Sequence, residues 1–317
     1  VIRSAPHLQE ALERFEGRLR QLIRSDVEFI QLIEEDLVTA GGKRIRPTLV
    51  FLASGALGGV PFELELAMAV ELLHSATLLH DDLIDDAETR RGQVAAFRKY
   101  GNAVSVLSGD YLLSRLLYLL SVTGEIELVA LFAQTARELA ESEVLQFQIA
   151  ALADYSREAY ERIITGKTGS LMRAACEGAA LLGRAPSAWR EGLMRFGLAY
   201  GQAFQMRDDY LDLMGSPEIL GKPIGGDLRE GKVTLILLEL LEAYPDEVQE
   251  ILRRKGSGVE DLNRLRSLAH VSGADQRVIA AIERRVNEAL EALSLLPESP
   301  YRDALAELAE AELVRTR

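Results

Sequence analysis

The sequence predicts an all-α fold, and three observations carry that prediction. No proline occurs between Pro61 and Pro186, apolar residues across that stretch recur at intervals of three and four, and strand signals are missing throughout. That interval gathers apolar side chains onto one face of a helix, which must then be buried against another element.

Taken in order, Leu8, Leu12, Phe15, Leu19, Leu22 and Ile23 predict an amphipathic helix running from Leu8 to about Leu37. Gly41-Gly42 ends it. The basic turn Gly41-Gly-Lys-Arg-Ile-Arg-Pro47 follows, and Pro47 suits the first turn of a helix reaching about Leu57. Pro61 opens the next element. Helical periods then cover about 64–88, 103–121, 125–151 and 157–182, and Pro186-Ser187 starts a helix to Met214. Residues 215–231 break the pattern with five glycines and two prolines, a length without structure of its own that suggests a functional loop. Helices resume at Lys232 and run in shorter pieces to Leu313, with Ser299-Pro300 as a cap and first-turn pair.

At 317 residues, 48% hydrophobic and 27% charged, the chain has the composition of an ordinary globular protein. A net charge of −13 argues against nucleic acid, because a phosphate backbone is bound by a basic surface. Four of the six lysines, Lys43, Lys167, Lys222 and Lys232, fall in glycine-containing stretches, which points to local use. The single cysteine, Cys176, sits among small apolar residues; it excludes a disulfide within the chain and predicts a buried thiol and a reducing, cytoplasmic compartment. No basic-then-apolar leader stands at the start, and no uninterrupted apolar run reaches the ~18 residues of a membrane span.

The chemistry concentrates in residues 80–92, His-Asp-Asp-Leu-Ile-Asp-Asp-Ala-Glu-Thr-Arg-Arg-Gly, at the end of a nearly wholly apolar stretch. On a helix Asp81 and Asp85 share one ridge, as do Asp82 and Asp86, and unpaired carboxylates so close call for cations. Oxygen donors without paired histidines or cysteines suit a hard ion such as Mg²⁺, and Arg90-Arg91 suit a phosphate group. Metal plus diphosphate is the reading that follows. A second triplet, Asp208-Asp209-Tyr-Leu-Asp212, echoes the first 127 residues later. The echo makes sense if the two helices face one cavity and share metal ions, which favours one domain over residues 1–317.

With both motifs in place, the chain resembles the trans-isoprenyl diphosphate synthases, the polyprenyl synthetase family. The resemblance rests on Gly-Gly-Lys-Arg-Ile-Arg-Pro (41–47), His-Asp-Asp-Leu-Ile-Asp with Arg-Arg-Gly, Gly-Lys-Thr-Gly (166–169), Phe-Gln-Met-Arg-Asp-Asp-Tyr-Leu-Asp (204–212), and Gly-Lys-Pro (221–223) with Asp227 and Gly231-Lys232. It implies the isoprenoid synthase fold, a bundle of about ten mostly antiparallel helices around a central cavity, usually a homodimer. It implies that Asp81, Asp82, Asp85 and Asp208, with Asp209 and Asp212 more distantly, hold about three Mg²⁺ ions on an allylic diphosphate. Lys167, Thr168 and Gln205 resemble the groups around the allylic cation and its diphosphate. Arg90, Lys222 and Lys232 would grip that diphosphate, and Lys43, Arg46, His74 and Arg91 resemble the pocket for isopentenyl diphosphate. The implied activity is head-to-tail condensation of these two substrates.

Product length is read from the helix entering the first motif. Short-chain members of the family carry a bulky aromatic four or five positions before the first Asp. Here Thr77 and Ala76 stand there, with Leu73 one turn earlier and no aromatic residue back to Phe62. The resemblance therefore implies a long-chain product of roughly seven to nine isoprene units, the tunnel below the metals being open. The alternatives are a farnesyl or geranylgeranyl diphosphate synthase and the non-catalytic subunit of a two-component synthase; the latter lacks acidic motifs that this chain keeps. Gly166-Lys-Thr-Gly is not a P-loop, since no strand and no Gly-x-x-x-x-Gly-Lys-Thr precede it; its glycines predict a helix irregularity. Glu71-Leu-Leu-His74 matches half of a di-iron carboxylate site, but no other histidine has a Glu three residues before it.

Overall fold

In the computed structural model the chain is described at residues 5–84, 86–90, 93–221 and 223–314, the side chains of 39, 40, 219 and 314 excepted. The predicted all-α class holds. Among the described residues the extended structure is one two-residue pair, β1 (Thr89–Arg90) antiparallel to β2 (Gln93–Val94), with Thr89 opposite Val94. Strands of two residues carry no periodicity, so the sequence could not announce them.

By its internal contacts the chain falls into two compact units. The first comprises residues 1–136, 174–194 and 295–305, the second 137–173, 195–294 and 306–317. Four of the divisions fall inside helices rather than in linkers.

The first unit opens with α1 (Leu8–Leu22), α2 (Glu28–Ala40), α3 (Ile45–Ala56) and α4 (Glu63–Ile84). The expected helix to Leu37 is thus two, interrupted at residues 23–27. Ile23 and Val27 keep the apolar rhythm through the break, while the Ser25 hydroxyl accepts the Val27 amide at 3.1 Å in a tight turn. Gly41 ends α2 with φ 61°, a backbone angle that favours glycine. Arg44 binds the basic turn to the core: its guanidinium donates to Glu16 and to the buried Glu71, each at 2.6 Å. After the β pair come α5 (Ala96–Tyr100), α6 (Asn102–Thr123) and the start of α7 (Ile126–Leu152).

Helices α4 and α6 pack closely because α6 offers small residues to α4. Ser105 donates to the Leu79 carbonyl at 3.2 Å, and a Cβ on Gly109 would stand 2.4 Å from the His80 ring. Leu49, Leu52, Leu66, Met68 and Leu72 are fully buried around them, each worth about 1.5–3 kcal/mol in apolar transfer. Among the described residues α6 is the one helix long and apolar enough to cross a membrane, although 39% of its most apolar window is buried within the fold.

The second unit contains α8 (Arg157–Ile164), capped by Ser156, whose hydroxyl accepts the Ala159 amide. A π-helical turn, Thr165–Gly169, follows, and α9 (Ser170–Leu182) continues the same helix. The predicted irregularity at 166–169 is this turn. It is anchored by the Ser170 hydroxyl on the Gly166 carbonyl at 2.7 Å and by Gln202 on the Thr165 hydroxyl at 2.8 Å. Helix α10 (Ser187–Met214) crosses it backbone to backbone, since a Cβ on Gly201 would lie 2.7 Å from the Gly169 Cα. The 215–231 loop carries two single turns, α11 (Pro217–Leu220) and α12 (Gly226–Arg229). Helices α13 (Leu235–Ala243), α14 (Pro245–Arg253), α15 (Val259–Ser272), α16 (Ala274–Leu293) and α17 (Pro300–Val314) complete the chain. Ser299 caps α17 by accepting the Arg302 amide at 3.0 Å.

Candidate active site

Two groups of candidate residues form, one in each unit. In the first, the apolar face of α4 delivers Asp81, half-buried, and Asp82, 3% exposed, at its C-terminal end. Arg90 on β1 reaches back to Asp82, with Nε 2.9 and 3.1 Å from the two carboxylate oxygens and Nη2 closer still to Oδ1. The sequence offered Arg90 to a diphosphate; here it also neutralises a buried carboxylate. The pair lines a small cavity of about 30 Å³ with Ile33, Asp36, Leu37 and Leu79.

Lys43 is exposed in the turn before α3, Arg46 half-buried in its first turn, and His74 half-buried on α4. Leu73 and Ala76 are buried at 2% and 1% exposure, and Thr77 is half-buried with its hydroxyl on the His74 carbonyl. Asp85, Arg91 and Lys222 lie outside the described residues. Past the first motif, Arg98 of α5 clamps the chain by donating to the Ala87 and Asp86 carbonyls and to the Asp86 carboxylate.

In the second unit, α10 carries Gln205, Asp208, Asp209 and Asp212, and the π turn carries Lys167 and Thr168. Hydrogen bonds join Thr168, Gln205 and Asp209 in a row. The Thr168 hydroxyl donates to Gln205 Oε1 at 2.6 Å, and Gln205 Nε2 to Asp209 Oδ1 at 2.8 Å. The Tyr160 hydroxyl donates to Asp209 Oδ2 at 2.8 Å. Asp212 is buried and accepts the Asp227 amide at 2.9 Å, which pins the loop to the motif. Lys167 Nζ stands 3.9 Å from Glu143, and Lys232 lies 2.7 Å from Glu230.

This is a crowd of carboxyl groups in a desolvated place. Burial pushes the Asp209 carboxyl up to about 6 despite the hydrogen bonds from Tyr160 and Gln205. Burial, then repulsion from Asp209 and Asp212, pushes Asp227 up to about 8. The Tyr160 hydroxyl is raised well above its usual value by burial and by Asp209. Burial also raises the Cys176 thiol, so that residue is an inert part of the core.

Among the described residues no three acidic or imidazole side chains already converge as a metal cage. The donor set nevertheless fits a hard divalent cation: it offers oxygen alone, and burial, then repulsion between the acids, raises the pKa values that such a cation would lower.

Sequence reasoning missed Tyr160 and Arg207, and placed Asp227 in the loop without assigning it to the acidic cluster. Arg207, 3% exposed, donates to Asp208 Oδ1 at 2.6 Å. Its adjacency to the motif was the one available signal. Tyr160 gave none, because its contact with Asp209 spans 49 residues.

The model of the polyprenyl synthetase family matches residues 27–269. The all-trans-nonaprenyl-diphosphate synthase (geranyl-diphosphate specific) of Rhodobacter capsulatus is 38% identical over 317 residues, covering 98% of this chain and 96% of that one. The short chain isoprenyl diphosphate synthase of Methanothermobacter thermautotrophicus is 35% identical, covering 97% of each. Among solved structures, the polyprenyl synthase of Caulobacter crescentus, complexed with calcium and isoprenyl diphosphate, superposes with a TM-score of 0.90 at 36% identity over 98% of this chain and 95% of that one. The family match spans most of the chain, and the full-length relatives agree with it: the chain belongs to the polyprenyl synthetase family.

Proposed function

We propose that the protein is a trans-prenyltransferase that condenses isopentenyl diphosphate with an allylic diphosphate to give a long-chain polyprenyl diphosphate. The observation that carries the reading is the pair of carboxylate motifs, Asp81-Asp82 with Arg90 in the first unit and Asp208, Asp209 and Asp212 with Lys167, Thr168 and Gln205 in the second, in a chain of this family. The two units then act as one synthase domain over residues 1–317. That four divisions between them fall within helices supports this.

Asp81, Asp82, Asp85, Asp208, Asp209 and Asp212 are the residues that would hold Mg²⁺. When bound, about three such ions supply charge neutralisation of the allylic diphosphate, easing its departure. Lys167, Lys222, Lys232 and Arg90 bind the same diphosphate. Thr168 and Gln205 present oxygens to the allylic carbon, where positive charge develops, and their mutual hydrogen bond fixes both orientations in advance. Lys43, Arg46, His74 and Arg91 hold isopentenyl diphosphate so that its alkene attacks that carbon. The proton lost after attack goes to the departed diphosphate, and no side chain of this site is needed as its base.

Small side chains at Ala76 and Thr77, with Leu73 a turn earlier, leave the path beside α4 without an aromatic stop, which supports roughly seven to nine isoprene units. The short-chain relative, of similar identity, favours a farnesyl or geranylgeranyl product as the second reading. The apolar side chains Leu107, Leu117, Tyr118 and Val122 on α6 and Ile126 and Val129 on α7 are exposed, and a second copy of the chain is the partner that would cover them. The lone buried cysteine supports a cytoplasmic setting.

Incubation with isopentenyl diphosphate, each allylic starter and Mg²⁺, followed by sizing of the products, tests the reading. Products beyond twenty carbons support it, and a series ending at or below twenty selects the second reading. Asp81→Ala or Asp208→Ala is expected to lower turnover by about two orders of magnitude or more; near-normal rates remove the metal assignment.

A further inference from the structure

Arg207 occupies an unusual electrostatic position. Its side chain is 4% exposed and lies between two acids, Asp208 on its own helix at 2.6 Å and Glu312 of α17 at 2.9 Å. The ring of Phe204 sits 5.1 Å from the guanidinium carbon. Glu312 is 3% exposed, whereas Asp208 is 43% exposed. Two members of the trio are therefore sealed in the fold and the third faces outward.

Buried ion pairs are poor sources of stability, since the desolvation of both charges offsets their attraction. A different role fits the order of these groups. An arginine beside Asp208 alone would orient that carboxylate and also cancel its charge. With Glu312 on its other side, the guanidinium shares its charge between two acids, and the trio retains one net negative charge. Asp208 is then held in a fixed direction while keeping its attraction for a cation.

We propose that Arg207 and Glu312 are positioning residues that orient the Asp208 carboxylate while preserving its charge for a divalent cation, making the C-terminal helix part of the second acidic motif. This rests on the reading of Asp208 as a metal-holding residue.

The test uses the full-length chain and Mg²⁺ alone, read as the Mg²⁺ concentration giving half of the maximal shift in thermal unfolding midpoint. Glu312→Gln leaves the arginine's charge to Asp208 alone and is expected to raise that concentration about three- to tenfold. Removing both charges in the double variant Arg207→Gln, Glu312→Gln restores the net charge but not the orientation, so it is expected to need about half or less of the Mg²⁺ that Glu312→Gln needs, yet still more than wild type. An unchanged Mg²⁺ response in Glu312→Gln, or a double variant no better than the single one, overturns the proposal. Should circular dichroism show Glu312→Gln unfolded, Glu312→Asp keeps the charge but withdraws it, and a requirement raised about twofold or more supports the proposal while equality with wild type overturns it. Asp208→Asn separates the two readings. If it weakens the Mg²⁺ response and Glu312→Gln does not, only this inference fails; if neither does, the metal reading of Asp208 fails with it.

Discussion

The Arg90 guanidinium meets both oxygens of the Asp82 carboxylate, so a residue of the basic pair is bonded to the acidic motif eight positions before it. Asp82 is 4% exposed at its side chain and Arg90 36%. Truncating the arginine leaves a buried carboxylate without this partner. Arg90→Ala is expected to lower stability in urea by about 1–3 kcal/mol. Added Mg²⁺ is expected to stabilise Arg90→Ala more than wild type, because the vacated carboxylate becomes a stronger ligand; equal gains in the two proteins count against the pairing.

On the proposed reading, product length turns on α4. Ala76→Phe places a ring about one turn before Asp81 and is expected to shorten the product to about three or four units while the first condensation proceeds. Chromatography of the radiolabelled products reads both. An unmoved distribution means that residues of other helices set the length.

The crossing of α10 over the π turn leaves no room for a methyl group. Gly201→Ala puts a Cβ 2.7 Å from the Gly169 Cα and 3.1 Å from the Thr168 carbonyl, both of them backbone. It is expected to cost about 1–3 kcal/mol and, by moving Thr168, more than tenfold in kcat. Gly17→Ala on α1 meets nothing within 4 Å and is the control. It is expected to gain about 0.5–1 kcal/mol with activity unchanged.

Glu34 is buried on α2, and burial pushes its carboxyl up to about 8 against the counter-pull of Arg115. A carboxyl whose pKa is raised by folding holds its proton in the native state while the unfolded chain releases it. Its contribution is therefore intact below the ordinary value of 4.5 and declines as pH rises towards 8. Each unit of such a shift is about 1.4 kcal/mol, so Glu34→Gln is expected to be at least about 1 kcal/mol more stable than wild type at pH 8 and to flatten the slope between pH 5 and 8. Denaturant titrations across that range measure it; parallel curves contradict it.

The parts legible in the sequence were those encoded locally. Proline-free periodicity placed the helical run of 157–182, Pro186-Ser187 marked the start of the helix of 187–214, and side-chain type alone marked Asp81, Asp82, Asp208, Asp209 and Asp212. The interruption at residues 23–27 was hidden because Ile23 and Val27 preserve the apolar interval across a turn made by Ser25. The partners of the acids were hidden for another reason. Tyr160 reaches Asp209 and Glu312 reaches Arg207 only through tertiary packing, and neither has a spacing that marks it in advance.

The π turn at Thr165–Gly169 amounts to one residue more than a regular helix would hold, absorbed as a bulge. Helix α8 before it and α9 after it thus keep the relative phase of an uninterrupted helix one residue shorter. Excising a single residue, Gly166, would let the helix close over the gap with Tyr160 and Ser170 still aimed as they are. What would vanish is the bulge that carries Lys167 and the buried Thr168. If Lys167 and Thr168 act on the diphosphate as proposed, the local defect is what presents them, and a repaired helix would be expected to gain stability and lose turnover.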